Sequence, residues 1–292
     1  MTTATVDRSR SHRDARAGLR HGAWLAATVF AGLFAVVGAH RWNTLDAHAY
    51  WMAWQHPFYS LPAGAANAYL YSPAFAQALW PVTHLPWSAF LALWMAVLTA
   101  ATVWLISPLR VWAIPVFLAC VPAIITGNIY PLFAVVVVTG MRYPAAWALP
   151  LLTKVTPGVG LVWFAVRREW RQLFTAVGAT AGIVAVSAIF MGGEWTHWMT
   201  FMAHQPHAVH ASGNSVSGLP APSLLVRLPL GIAVVAFAAR TDRRWLLPIG
   251  MLCADPMFAW FAFLLLTAIP RLRPRASTAE VPLTAEGALV HA

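Results

Sequence analysis

Runs of about twenty residues almost without charge recur along this 292-residue chain, and they constrain its fold more than any other feature. Only 10% of residues are charged, where a soluble domain carries about 25%. With a mean hydropathy of +0.64, the pattern specifies a polytopic helical membrane protein. Sixteen tryptophans suit interfacial belts. The net charge of +10 does not point to nucleic acid, because the arginines cluster beside the apolar runs. Five lie in residues 8–20, and others in 167–171, 240–244 and 271–275, which is the positive-inside signal. Cys120 and Cys253 fall within apolar runs and read as buried thiols rather than a disulfide.

Read in order, residues 1–20 are expected to form a disordered, basic cytoplasmic tail. Residues 22–40 form a retained first membrane helix. Residues 41–68 are too polar to span, and Asp46–Gln55 reads as an interfacial helix with Tyr50, Trp51 and Trp54 on one face. Spans follow at 87–106, 110–126 and 129–141. Residues 144–166 are either one helix or two half-helices meeting near Lys154–Gly158. The broken version keeps Arg110, Arg142 and Arg167 together on the cytoplasmic side, and it requires 69–84 to be re-entrant. Residues 173–191 span, 192–221 form a polar outer loop, 223–239 return, and 245–254 and 257–269 form a last pair. The expected architecture is all-α, with about nine to eleven membrane segments including broken or re-entrant helices. A single transmembrane domain covers 21–270, and 271–292 is a second cytoplasmic tail.

In so apolar a chain, each charge is informative. Of nine acids, six lie in tails or arginine-rich loops; Asp46, Glu194 and Asp255 map to the outer side. A carboxylate near the membrane centre costs about 2.5–3.5 kcal/mol, so one retained there is a functional candidate. The structural alternative for Asp46 and Asp255 is a solvated loop residue or a helix N-cap. Lys154 is the one lysine in the sequence and suits a phosphate, or else snorkels to an interface; Arg227 reads the same way. His197, His204, His207 and His210 invite a metal, but no Cys, Asp or Glu lies among them, and interfacial histidines are the better reading. No metal site or cofactor is expected. Neither a Walker motif nor a dinucleotide fingerprint is present, so nucleotide chemistry has no support.

Several stretches, taken in order, resemble glycosyltransferase family 87, which contains polyprenol-phosphate-mannose-dependent mannosyltransferases of the GT-C superfamily. They are Asp46-Ala-His-Ala-Tyr50, Tyr71-Ser-Pro-Ala-Phe75, Thr126-Gly127-Asn128, Lys154-Val-Thr-Pro157 with Arg167-Arg168-Glu-Trp170, Asn214-Ser-Val-Ser-Gly218 with Arg227-Leu228, and Asp255-Pro256 with Trp260. The chain departs in carrying Ser72-Pro73 where the family often has Pro-Pro, and Phe258-Ala259-Trp260 without a neighbouring histidine. The resemblance implies a GT-C-type fold with a catalytic first outer loop. It also implies inverting transfer of a sugar, mannose in the first instance, from a polyprenyl-phosphate donor to a lipid or glycan acceptor at the outer face of a bacterial plasma membrane. Asp46 matches the family's base, and Lys154 or Arg227 would stabilise the leaving phosphate. Asn128, Asn214, Tyr50, Tyr71 and Asp255 would help to bind substrate. Partners would then be the lipid-linked donor, the acceptor and membrane lipids. A multi-pass transporter or lipid flippase is the alternative, and a non-catalytic scaffold a third reading. The enzyme reading requires Asp46, Lys154 and Asp255 around one cavity open to the outer leaflet.

Overall fold

In the computed structural model the chain is 81% helical, and no strand forms among the described residues, which establishes an all-α protein. The structure describes residues 3–41, 45–62, 65, 67–211, 221–256 and 258–273, with the side chains of 3–16, 39–41 and 205–211 left out. Residues 274–292 and Asn214 therefore lie outside the described residues. Among the described residues, three helical stretches are long and apolar enough to cross a membrane: Ala17–Gly38, Trp87–Thr126 and Trp170–His204.

Helix α1 (Thr3–Arg41) differs from the expected disordered tail followed by a helix from residue 22. Its backbone is already helical at Thr3, because Ala and Arg are strong helix formers and extend a helix that the apolar segment nucleates. Ala31 and Ala35, one turn apart, are its buried positions, while Leu25, Val29, Phe30, Leu33 and Val37 face outward. Small residues let α1 lie close along α5 (Ala113–Thr126).

Helix α2 (Leu45–Met52) is shorter than the expected Asp46–Gln55. Tyr50 does not lie at an interface. Its ring packs against Tyr71, Phe75 and Trp94, which sinks that face of α2 into the core. Helix α3 (Pro73–Thr83) is only 11 residues, about 16 Å, half of what a hydrocarbon core demands. Both its ends return to α2: Tyr71 meets Tyr50, and Trp51 Nε1 donates to the Leu85 carbonyl at 2.9 Å. Both ends of this segment thus lie beside α2, at one end of the bundle.

Helix α4 (Trp87–Ile106) buries Phe90, Trp94, Leu98, Thr102 and Leu105 in one stripe. The chain then reverses through a 3₁₀ turn at Ser107–Trp112, where Arg110 has φ of 56°, and returns along α5. Helix α6 (Tyr130–Thr139) is enclosed on all sides, as a helix apolar all round must be. Residues 144–166 are broken. A 3₁₀ turn (Pro144–Trp147) leads into α7 (Ala148–Thr153); after the break come another 3₁₀ turn (Thr156–Leu161) and α8 (Val162–Val166).

Helix α9 (Trp170–Ala211) is kinked at Met191, so the expected polar outer loop is helical up to Ala211. Its second half leans on the α2–α3 segment: Trp198 Nε1 donates to the Leu70 carbonyl, and Phe201 packs on Tyr59. Helix α10 (Leu224–Arg240) approaches α11 (Leu247–Cys253) so closely at Gly231 that a side chain there would strike the Gly250 carbonyl. A nine-residue 3₁₀ stretch (Trp260–Ala268) and α12 (Ile269–Leu272) complete the bundle.

The bundle has two chemically different ends. At one, Arg167 bonds Glu169 and Asp242, Arg271 bonds the Trp104 carbonyl, and Trp24 of α1 bonds the Val111 carbonyl. At the other lie α2, Gly127-Asn128, the 154–155 break and Asp255. That second end is recessed. Trp94, whose Nε1 donates to the Gly127 carbonyl at 2.8 Å, lies about 10 Å along α4 from Trp87, at 1.5 Å per residue.

Candidate functional site

The site begins with a glycine. Gly127 caps α5 in the left-handed conformation (φ 78°), which only glycine adopts without strain. Its missing side chain also lets α2 approach, since the Ala47 nitrogen lies 2.8 Å from where a Cβ would sit. Ala47 seated on this turn brings Asp46 over the next residue. Asn128 Nδ2 donates to Asp46 Oδ2 at 2.6 Å, while Asn128 Oδ1 accepts the Tyr130 backbone N–H at 3.2 Å. The asparagine is thus held at its carbonyl and aimed at its amide.

Tyr130 joins this pair to the remaining charges. Its hydroxyl donates to Asp255 Oδ2 and accepts from Lys154 Nζ at 2.9 Å. The ammonium also lies 4.1 Å from the centroid of the Tyr130 ring, a cation–π position. Lys154 is placed by the break in 144–166. Val155, with φ of 47°, is a β-branched residue in a region that costs about 1–3 kcal/mol. The break falls at Lys154–Val155, upstream of the Pro157-Gly158 pair that suggests it in the sequence.

Asp255 follows the C-cap of α11, Ala254, and its carboxylate reaches across to Tyr130. Arg227 holds the same loop: Nη1 donates to the carbonyls of Asp255 (2.7 Å) and Cys253 (3.2 Å), and Nε to that of Pro222 (2.8 Å). Its guanidinium is thereby directed at backbone rather than at an open site, and it is only 8% exposed.

Asp46, Asn128, Lys154 and Asp255 thus converge through Tyr130. Tyr50 and Tyr71 lie alongside, their hydroxyls bonded to each other at 2.9 Å. Burial and the Asp46 charge push the Tyr71 phenol up, so it stays neutral. Burial raises the Asp46 carboxyl above its ordinary 3.8; the Lys154 charge and the Asn128 hydrogen bond act in the opposite direction. Asp255 and Tyr130 are fully enclosed, whereas Asp46 and Lys154 keep partial exposure. The accessible carboxylate therefore suits proton transfer, and the enclosed one suits holding Tyr130 and Lys154 in place.

Tyr130 is absent from the residues that sequence reasoning selects. The available signal is a tyrosine opening an apolar run two residues after Gly127-Asn128, a pattern that ordinary core packing produces equally well. Glu194, the third outward acid, lies apart from this network, 3.5 Å from His197. His204 bonds the Thr200 carbonyl of its own helix, and the side chains of His207 and His210 lie outside the described residues. Among the described residues no group of three or more metal-ligating side chains forms.

In comparison with known proteins, the family model described as glycosyltransferase family 87 matches residues 69–289, more than half of the chain. Neither a curated protein nor a solved structure matches. The matched region includes Asn128, Tyr130, Lys154, Arg227 and Asp255, and begins after Asp46.

Proposed function

Because this chain belongs to glycosyltransferase family 87, and so uses a sugar donor and an acceptor, we propose that it transfers mannose from a polyprenyl-phosphate carrier with inversion at the anomeric carbon. One observation carries this reading: the half-buried Asp46 carboxylate and the Lys154 ammonium belong to one network, linked by Asn128 and Tyr130. In the proposed step Asp46 takes the proton of an acceptor hydroxyl as that oxygen bonds the sugar's C1. The bond from C1 to the phosphate oxygen breaks on the opposite face, and its electron pair leaves with the polyprenyl phosphate. Lys154 stabilises the negative charge that develops there. Asn128 orients Asp46, Asp255 with Tyr130 orients Lys154, and Arg227 secures the Asp255 loop. Tyr50 and Tyr71, by resemblance substrate ligands, are buried with their hydroxyls bonded to each other, and in this reading they brace α2 beside the site. Asn214, by resemblance a further substrate ligand, lies outside the described residues.

The arginine-rich end supports a cytoplasmic placement under the positive-inside rule. The recessed site then opens to the outer leaflet of the plasma membrane, where a lipid-linked donor presents its phosphate. Both chain termini would lie in the cytoplasm, and the acceptor would be a lipid or glycan of the cell envelope.

The test is incubation of membranes containing the full chain with labelled polyprenyl-phosphate mannose and identification of the labelled product. Transfer should fall by a factor of about 10²–10⁴ in Asp46→Asn, which keeps the shape and removes the base. Undiminished transfer by that variant overturns the assignment of the base. Transfer from a different polyprenyl-phosphate sugar alone would correct the sugar while leaving the chemistry in place.

A further inference from the structure

At the arginine end, away from Asp46, a cleft of about 350 Å³ opens between α6, the α10–α11 turn and the end of α12. Arg244, Arg271 and Arg273 line it over an apolar floor that includes Val138, Met141 and Leu272. The one carboxylate at its edge, Asp242, is bonded at 3.0 Å to Arg167, which comes from outside the cleft. An anion entering would therefore meet the side chains of three arginines beside one carboxylate, Asp242, which shares Arg167 with Glu169. Arg271 is fixed in place: Nε bonds the Trp104 carbonyl at 2.7 Å, Nη2 bonds Ser107 Oγ at 2.8 Å, and the guanidinium stacks 3.9 Å from the Trp104 ring. Arg273 lies over Trp245 at 5.8 Å.

Arginines that merely mark the cytoplasmic side scatter into water. Here they converge from two chain segments nearly thirty residues apart onto an apolar surface. Guanidinium forks match phosphate oxygens, and the apolar floor matches the carbon skeleton beside a phosphate ester. The volume lies within the range of small-molecule sites. We propose that this cleft binds a phosphate-bearing anion, either the headgroup of an anionic phospholipid or a soluble phosphate, at a site separate from the sugar-transfer centre.

The test uses the purified full-length protein in detergent, with phosphatidylglycerol, phosphatidylcholine or inorganic phosphate added. Binding is read by native mass spectrometry for the lipids and by the shift in unfolding midpoint for all three. The comparison is with a double variant, Arg244→Gln with Arg273→Gln, which leaves the Arg271 anchor intact. The expected result is saturable binding of phosphatidylglycerol, with its affinity in the double variant reduced about tenfold or more. Phosphatidylglycerol binding without a phosphate effect identifies a lipid headgroup. A midpoint shift with inorganic phosphate as well identifies a soluble phosphate ligand of the same chemistry. Equal affinity in wild type and double variant, equal affinity for phosphatidylcholine, or no binding by any of the three would overturn the proposal.

Discussion

At the recessed end, Asp46, Lys154, Arg227 and Asp255 are each hydrogen-bonded to a residue of another element, and Asp255 is wholly enclosed. At the arginine end, Arg167 bonds Glu169 and Asp242 with side chains between 30% and 65% exposed. Both ends bring charges to helix junctions, but their environments give those charges different worth. Water screens the exposed set, so each pair contributes about 0–1 kcal/mol. Breaking an enclosed, hydrogen-bonded charge leaves its partner unsolvated at about 3–5 kcal/mol. A membrane protein can therefore use surface arginines for orientation at little structural consequence, whereas the enclosed network must be built by the whole fold.

Substitutions at the two ends should differ accordingly. The largest effect on folding is expected for Gly127→Ala, which puts a side chain at φ 78° and drives it into Ala47. Strain and overpacking together suggest about 2–4 kcal/mol, read as a lowered unfolding midpoint and loss of transfer. An unchanged midpoint would show that α2 does not depend on this turn. Next is Tyr130→Phe, which removes the hydroxyl between Lys154 and Asp255 and leaves buried groups unpaired, at about 1–3 kcal/mol. Activity should fall along with stability. Full stability and activity would mean that the charges hold each other without the tyrosine.

A smaller effect, visible in pH dependence, is expected for Asn128→Ala. In the proposed mechanism Asp46 works deprotonated, so transfer should be lost as pH falls through its raised pKa. Removing the Asn128 hydrogen bond removes one influence that lowers that pKa, and the acid limb of kcat/KM should move to higher pH. Linkage gives the opposite direction for stability. The raised carboxyl contributes fully below its ordinary 3.8, and the contribution is lost as pH rises through the folded pKa. An acid limb that stays in place would disconnect Asp46 from the rate. The smallest effect is expected for Arg167→Gln, within about 1 kcal/mol by thermal unfolding. A larger loss would show that the arginine end is not the lightly coupled region its exposure implies.

Much of this could be read from residue types alone. Helical class followed from the apolar runs, and the break in 144–166 was one of two readings, the one that keeps Arg110, Arg142 and Arg167 on one side. Asp46, Lys154 and Asp255 stood out because an ion in an apolar segment is expensive unless something holds it. Tyr130 did not stand out, since a tyrosine in an apolar run is an ordinary core aromatic until its hydroxyl partners are known. Arg227 looked like a phosphate ligand because side-chain type does not reveal that its N–H groups face carbonyls. The Gly192-Gly193 pair after Met191 did mark a boundary, but residue types alone read it as the end of a span rather than a kink within one helix.

By itself, then, the sequence determined the solvent of this protein, the end at which its arginines lie and the short set of charges worth holding inside. These follow from transfer free energies, which are additive and local. Only the tertiary structure decided that Asp46 rests on Asn128 because Ala47 fits against Gly127, and that one tyrosine hydroxyl joins Lys154 to Asp255. Those contacts join residues 82 and 125 positions apart, and packing geometry rather than composition sets which buried groups meet.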